Sequence, residues 1–203
     1  MNDEQAREAV AAFREYFQPT GIYEIEIYPG IEEMLKELQD KGYFLAMATS
    51  KPEAFADIVL RHFHIRDYIK VMAGATMDEG RTNKAEVLAY ALEQMNISDL
   101  SEAVMVGDRS YDVKGAQAMG IDSVGVLYGY GSREELEEAG ATKIAKSVED
   151  LKNILLKMEL FYYPTEAYYT ENETKIEELT RSGELILDDD NSDRRYYSMT
   201  PLE

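Results

Sequence analysis

Along the first stretch of the chain Ala6, Val10, Phe13 and Phe17 recur at helical spacing, and Pro19 and Gly21 end the pattern, so a helix is expected there. The text YPGIEEMLKELQDKGYFLAMATSKP predicts a helix over 29–41, a stop at Gly42, a strand over 43–48 and then a polar turn. A further helix over 53–63 leads to the apolar run IKVMAG, read as a strand. TNKAEVLAYALEQMN is a strongly amphipathic helix, AVMVG a buried strand, YDVKGAQAMG a helix closed by Gly120, and SVGVL a last strand. Helices alternating with short Val-rich and Met-rich strands predict an α/β fold: an open, mostly parallel sheet with helices on both faces and right-handed crossovers. From 158 onward this rhythm stops. Residues 158–203 read as an acidic, Tyr-rich extension with one short apolar run, ELIL, after Gly183.

Composition narrows the partners more than the fold. The 203 residues are 45% hydrophobic, enough for a real core, and 21 Lys plus Arg against 40 Asp plus Glu give a formal net charge of -19. That is the wrong sign for coating a nucleic acid polymer or an anionic membrane. The absence of cysteine excludes disulfides and thiolate metal sites and fits a reducing cytoplasm. The acidic, amphipathic start carries no basic n-region followed by an apolar h-region, and no apolar run approaches the length of a membrane span.

In open parallel sheets, ligands collect beyond the carboxyl ends of the strands. Three places along this rim carry chemistry. Thr49, Ser50 and Lys51 follow the first clear strand, Lys84 opens the NKAEVL helix after a Gly-Arg-Thr turn, and Asp108 and Asp112 follow AVMVG. Two carboxylates can hold Mg²⁺, a hard cation that takes few protein ligands and completes its shell with water and phosphate oxygens. Ser50 can donate to phosphoryl oxygens, and Lys84 can neutralise charge on a transferred phosphoryl group. Each residue also has a plain reading: Asp112 as a helix cap, Ser50 as a turn residue, Lys84 as a solvated helix lysine. Their joint placement on one rim favours a phosphoryl-transfer site. His62 and His64 have no metal-ligating neighbours in sequence and read as surface and packing residues. Arg109 and Lys114 read as solvated, with Arg109 near enough to touch a substrate.

Ser50 in ATSKP, Lys84 in TNKAEVLAYAL, and Asp108 with Asp112 in GDRSYDVKGA resemble the second, third and fourth motifs of the haloacid dehalogenase-like phosphatases. Together with YPGIEEMLKEL and LYGYGSREELEEAGA, the chain is similar to the phosphoglycolate phosphatase and 5'-nucleotidase-like branch of that family. The resemblance implies hydrolysis of a small phosphorylated metabolite with Mg²⁺ on Asp108 and Asp112. Thr49, Ser50, Lys51 and Lys84 would hold the phosphate, Lys84 also orienting the nucleophile. It divides the chain into a remnant of a helical cap (1–28), a core (29–157) and the extension (158–203).

The family's first motif, DxDGT, supplies a nucleophilic Asp and an acid/base Asp; no DxDGT occurs in these residues. By the family pattern its strand would lie between the strands ending at Ser50 and Asp108. A missing amino-terminal fragment is therefore expected, with weak or no activity from the chain alone and possible self-association along the open edges. One displaced candidate is GELILDDDNSD, where Asp188 would be nucleophile and Asp190 acid and base, with ELIL filling the gap. The alternative expectation is a non-catalytic module that keeps phosphate and metal binding. A receiver-like phospho-acceptor domain fits less well, because Lys84 precedes a helix instead of following a late strand.

Overall fold

The computed structural model describes residues 2–77, 80–81, 83–97 and 99–158, together with two strands over 185–188 and 196–199. Seven helices in this region are α1 (Asp3–Phe17), α2 (Ile31–Asp40), α3 (Glu53–His62), α4 (Lys84–Gln94), α5 (Ser110–Met119), α6 (Arg133–Glu138) and α7 (Val148–Lys157). The strands between them are β1 (Leu45–Pro52), β2 (Ile69–Ala75), β3 (Val104–Gly107), β4 (Asp122–Val126) and β5 (Lys143–Ala145), followed by β6 (Leu185–Asp188) and β7 (Tyr196–Met199). Local chemistry sets the helix ends. The Asn83, Ser132 and Ser147 side chains accept backbone N–H bonds at the starts of α4, α6 and α7. Gly120, at a left-handed φ of 72°, closes α5 as its sequence predicts.

The fold class is α/β, and every pairing among β1 to β5 is parallel. β1 pairs with β2, and β3, β4 and β5 pair in that order. The expected single sheet is thus present as two. They share a core on both faces. On one face Met34 and Leu38 of α2 and Leu151 and Leu155 of α7 pack with Val124 and Val126, joined by Leu45 of β1 and by Val104 and Val106 of β3. On the other, Leu88 and Leu92 of α4 pack with Met105 and Ala116, joined by Ala48 of β1. β1 and β3 therefore contribute to the same clusters while no strand hydrogen bonds join them. No residue of β1 is fully buried, and only Met105 is in β3, whereas β4, paired on both sides, is buried at every position after Asp122. No strand among the described residues lies between the two.

Three expectations are corrected. The strand expected over 43–48 starts at Leu45 and continues through Thr49, Ser50 and Lys51 to Pro52, which pairs with Ala75 across a register shift after Ala48. Thr49, Ser50 and Lys51 have no partner of their own in β2 and form an irregular stretch between the Ala48–Ala73 and Pro52–Ala75 pairings, a tertiary arrangement that local composition does not encode. SVGVL is not the last strand of the core, because the short segment Lys143–Ala145 adds β5 beside β4. Leu185–Asp188, overlapping ELIL, does form a strand, yet this β6 pairs antiparallel with β7 in a sheet of its own and not with β1 or β3. Asp190 and the Asp188 side chain lie outside the described residues.

Candidate active site

Lys84 is the first residue of α4, where an ammonium opposes the helix dipole, so its position needs another partner. It has two. Nζ lies 2.8 Å from Asp112 Oδ1 and donates to the Ala48 carbonyl of β1 at 3.1 Å. Both side chains are nearly enclosed, with 11% of Lys84 and 7% of Asp112 exposed. The second oxygen of Asp112 accepts the Arg109 N–H at 3.1 Å, in the first turn of α5. The cap and the ionic reading of Asp112 both hold, one on each oxygen. Gly115, on the next turn of α5, gives Lys84 its space: a β-carbon there would sit 2.6 Å from Lys84 Cγ.

Asp108 follows β3 directly and is half-buried. Its Oδ2 accepts the Tyr130 N–H at 2.7 Å from the loop after β4. That loop can approach because residue 131 is glycine, where a β-carbon would fall 1.9 Å from the Asp108 carbonyl oxygen. Tyr128 packs edge to face on Tyr28, and burial first, then the neighbouring Tyr28 and Asp108, push its hydroxyl up to about 12. Arg109 is not merely solvated: its Nε donates to Glu135 Oε1 at 3.0 Å, the same oxygen that accepts the Ser110 N–H at 2.8 Å. The Ser110 N–H and then the Arg109 side chain hold Glu135 below the usual carboxylate range.

The structure thus brings Lys84 and Asp112 into contact, with Asp108 in the adjoining turn. Ser50 is exposed near the end of β1, and Thr49 Oγ1 accepts the Lys51 N–H at 3.1 Å. Lys51 turns toward α1, its ammonium 4.3 Å from the Phe17 ring centroid, and burial lowers its pKa below the ordinary lysine range. His62 packs edge to face against Tyr23 and Phe63. Sequence reasoning missed the Tyr130 N–H and the Arg109–Glu135 pair; the glycines of GYG and the Glu of REEL were their only trace.

The donors suit a small hard cation. Asp108 and Asp112 offer carboxylate oxygens from adjacent turns, without sulfur or imidazole, and Lys84 beside them would face the anion that such a cation attracts. Among the described residues no cluster of three metal-ligating side chains occurs, so water and a ligand would have to complete the shell.

A family model described as haloacid dehalogenase-like hydrolase matches residues 1–126. The 5'-nucleotidase of Pseudomonas aeruginosa is 36% identical over 155 residues, which make up 76% of this chain and 70% of that protein. The tyrosine-protein kinase PtkA of Mycobacterium tuberculosis is 41% identical over 155 residues, covering 75% of this chain and 53% of its own length, so the chain spans about half of it. Among solved structures, a protein described as a predicted phosphatase from Clostridium acetobutylicum superposes with a TM-score of 0.75 at 41% identity, covering 77% of this chain and 72% of that one.

Proposed function

This chain belongs to the haloacid dehalogenase-like hydrolase family, and from that premise we propose that it is the core of a Mg²⁺-dependent phosphatase for a small phosphate monoester, such as a nucleoside 5'-monophosphate or phosphoglycolate. The observation that carries this reading is the enclosed Lys84 ammonium, held between the Ala48 carbonyl of β1 and Asp112 of α5 beside Asp108.

In this reading Asp108 and Asp112 hold Mg²⁺, which supplies charge neutralisation to the phosphate oxygens when bound. Lys84 lends its proton donors to the phosphoryl group, and the contact with Asp112 keeps its ammonium aimed there in the resting state. Ser50, exposed near the carboxyl end of β1, donates to a phosphoryl oxygen. Thr49 contributes by accepting the Lys51 N–H on its hydroxyl, which steadies the end of β1. Lys51 adds long-range attraction from its place over Phe17.

The covalent step needs a carboxylate nucleophile that DxDGT would bring. These 203 residues lack that motif, so turnover by the chain alone is expected to be weak, with the nucleophile supplied by a segment outside this sequence. The displaced alternative, Asp188 with Asp190, would require β6 to leave β7 for the gap between β1 and β3. A second reading, favoured by the same missing motif, is a module that binds phosphate and metal without turnover.

Calorimetric titration of the full chain with Mg²⁺ and inorganic phosphate, alongside hydrolysis of p-nitrophenyl phosphate, separates these readings. Binding of Mg²⁺ that disappears in Asp108→Asn and binding of phosphate that weakens in Lys84→Met are expected. A chain that binds neither ligand would sink both readings. Turnover that survives Asp188→Asn would remove the displaced nucleophile.

A further inference from the structure

The loop between β2 and α4 delivers Lys84, and within it Arg81 stands apart. Its neighbours Gly80 and Asn83 are exposed, whereas the Arg81 side chain is only 18% exposed. Nε donates to the Gly74 carbonyl at 2.8 Å, and Nη2 lies 2.6 Å from Glu53 Oε1. The same Glu53 oxygen accepts the Gly74 N–H at 3.1 Å, so carboxylate and guanidinium together occupy both backbone polar groups of one residue near the end of β2. On its far side the guanidinium carbon lies 3.7 Å from the Tyr90 ring centroid on α4. Arg81 therefore touches three elements: the start of α3 directly after β1, the end of β2, and the body of α4.

Its backbone is also unusual. Arg81 has a φ of 51°, in the left-handed region that a residue bearing a β-carbon rarely enters. Such a conformation persists where the surroundings over-determine it. Glu53, Gly74 and Tyr90 do so through a planar fork that a lysine cannot reproduce. Two residues on, Asn83 caps α4, and Lys84 follows.

We propose that Arg81, clamped by Glu53, Gly74 and Tyr90, is the positioning residue of Lys84. The inference rests on the reading of Lys84 as a phosphate-binding residue. Lys84 reaches its partners through a flexible four-carbon stem, so the place of its ammonium depends on where the first turn of α4 is held. Arg81 fixes that turn against β2 and against the corner just past Ser50 and Lys51. The two phosphate-binding corners are thereby tied to each other through one guanidinium. Nε and Nη2 of Arg81 are directed at Gly74 and Glu53 and its face at Tyr90, which assigns it to positioning and leaves phosphate binding to Lys84.

The test uses the full chain with Arg81→Lys, Glu53→Gln and the gentler Tyr90→Leu, each alone and combined with Lys84→Met. Arg81→Lys is expected to weaken inorganic phosphate binding in the presence of Mg²⁺ about tenfold. In the Lys84→Met background it should add nothing further. Additive losses, or unchanged phosphate affinity despite a lowered melting temperature, would reduce Arg81 to a structural ion pair and overturn the proposal. Tyr90→Leu gives the same comparison with the ion pair intact should Arg81→Lys fail to fold. If the unaltered chain binds no phosphate, the functional reading fails by itself. The positioning claim is then decided by urea unfolding: coupling between Arg81→Lys and Lys84→Met supports it, and strict additivity overturns it.

Discussion

Asp112 divides its two oxygens between the Arg109 N–H and the Lys84 ammonium, and almost none of it reaches solvent. Replacing one member of an enclosed ion pair leaves the other charge without compensation, at about 3 kcal/mol. Asp112→Asn is expected to lose stability of that order in urea unfolding, while a loss below about 0.5 kcal/mol, the scale of an ordinary surface substitution, would contradict the enclosed pair. Tyr128 gives a pH signature of the same corner. The fold favours its neutral form, so its contribution is whole below the ordinary tyrosine value of 10.0 and is lost as the pH climbs through about 12. Stability measured across that alkaline limb should fall less steeply in Tyr128→Phe. These residues differed in legibility. Asp108, Asp112 and Lys84 could be picked out because they fall together on the rim beyond the strand ends and in the order of the family's motifs. The Lys84–Asp112 contact could not, since it joins separate helices and depends on a glycine at 115 leaving room. Tyr130 was invisible for another reason: it acts through its backbone, which every residue carries.

At the scale of elements, the amphipathic helices were readable because burial on one face and capping at the ends act locally. α5 runs from the turn after Asp108 to Gly120, as its text predicts. β1 shows the opposite case. Its last residues are polar and read as a turn, yet β1 bulges past them and pairs with β2 again at Pro52. β5 was missed because three residues carry too little periodicity to stand out. The pairing pattern makes a prediction for amide hydrogen exchange. β4 is paired on both sides at Val124 and Gly125, through β3 and β5, and its amides there should both be slow. β1 and β3 each pair on one side only, so slow and fast amides should alternate along them. Uniform protection of β1 would mean that its second edge is occupied.

At the scale of the molecule, helices cover both faces of two parallel sheets that share their packing but not their hydrogen bonds. The class of fold followed from the order of elements alone. The division into two sheets depends on which strands find a neighbour, and that is a property of the assembled chain. One contact crosses the division at the functional rim: the Lys84 ammonium touches a carbonyl of the first sheet and a carboxylate attached to the second. The location of that one nitrogen therefore reports how the two sheets are set against each other, although no backbone hydrogen bond joins them.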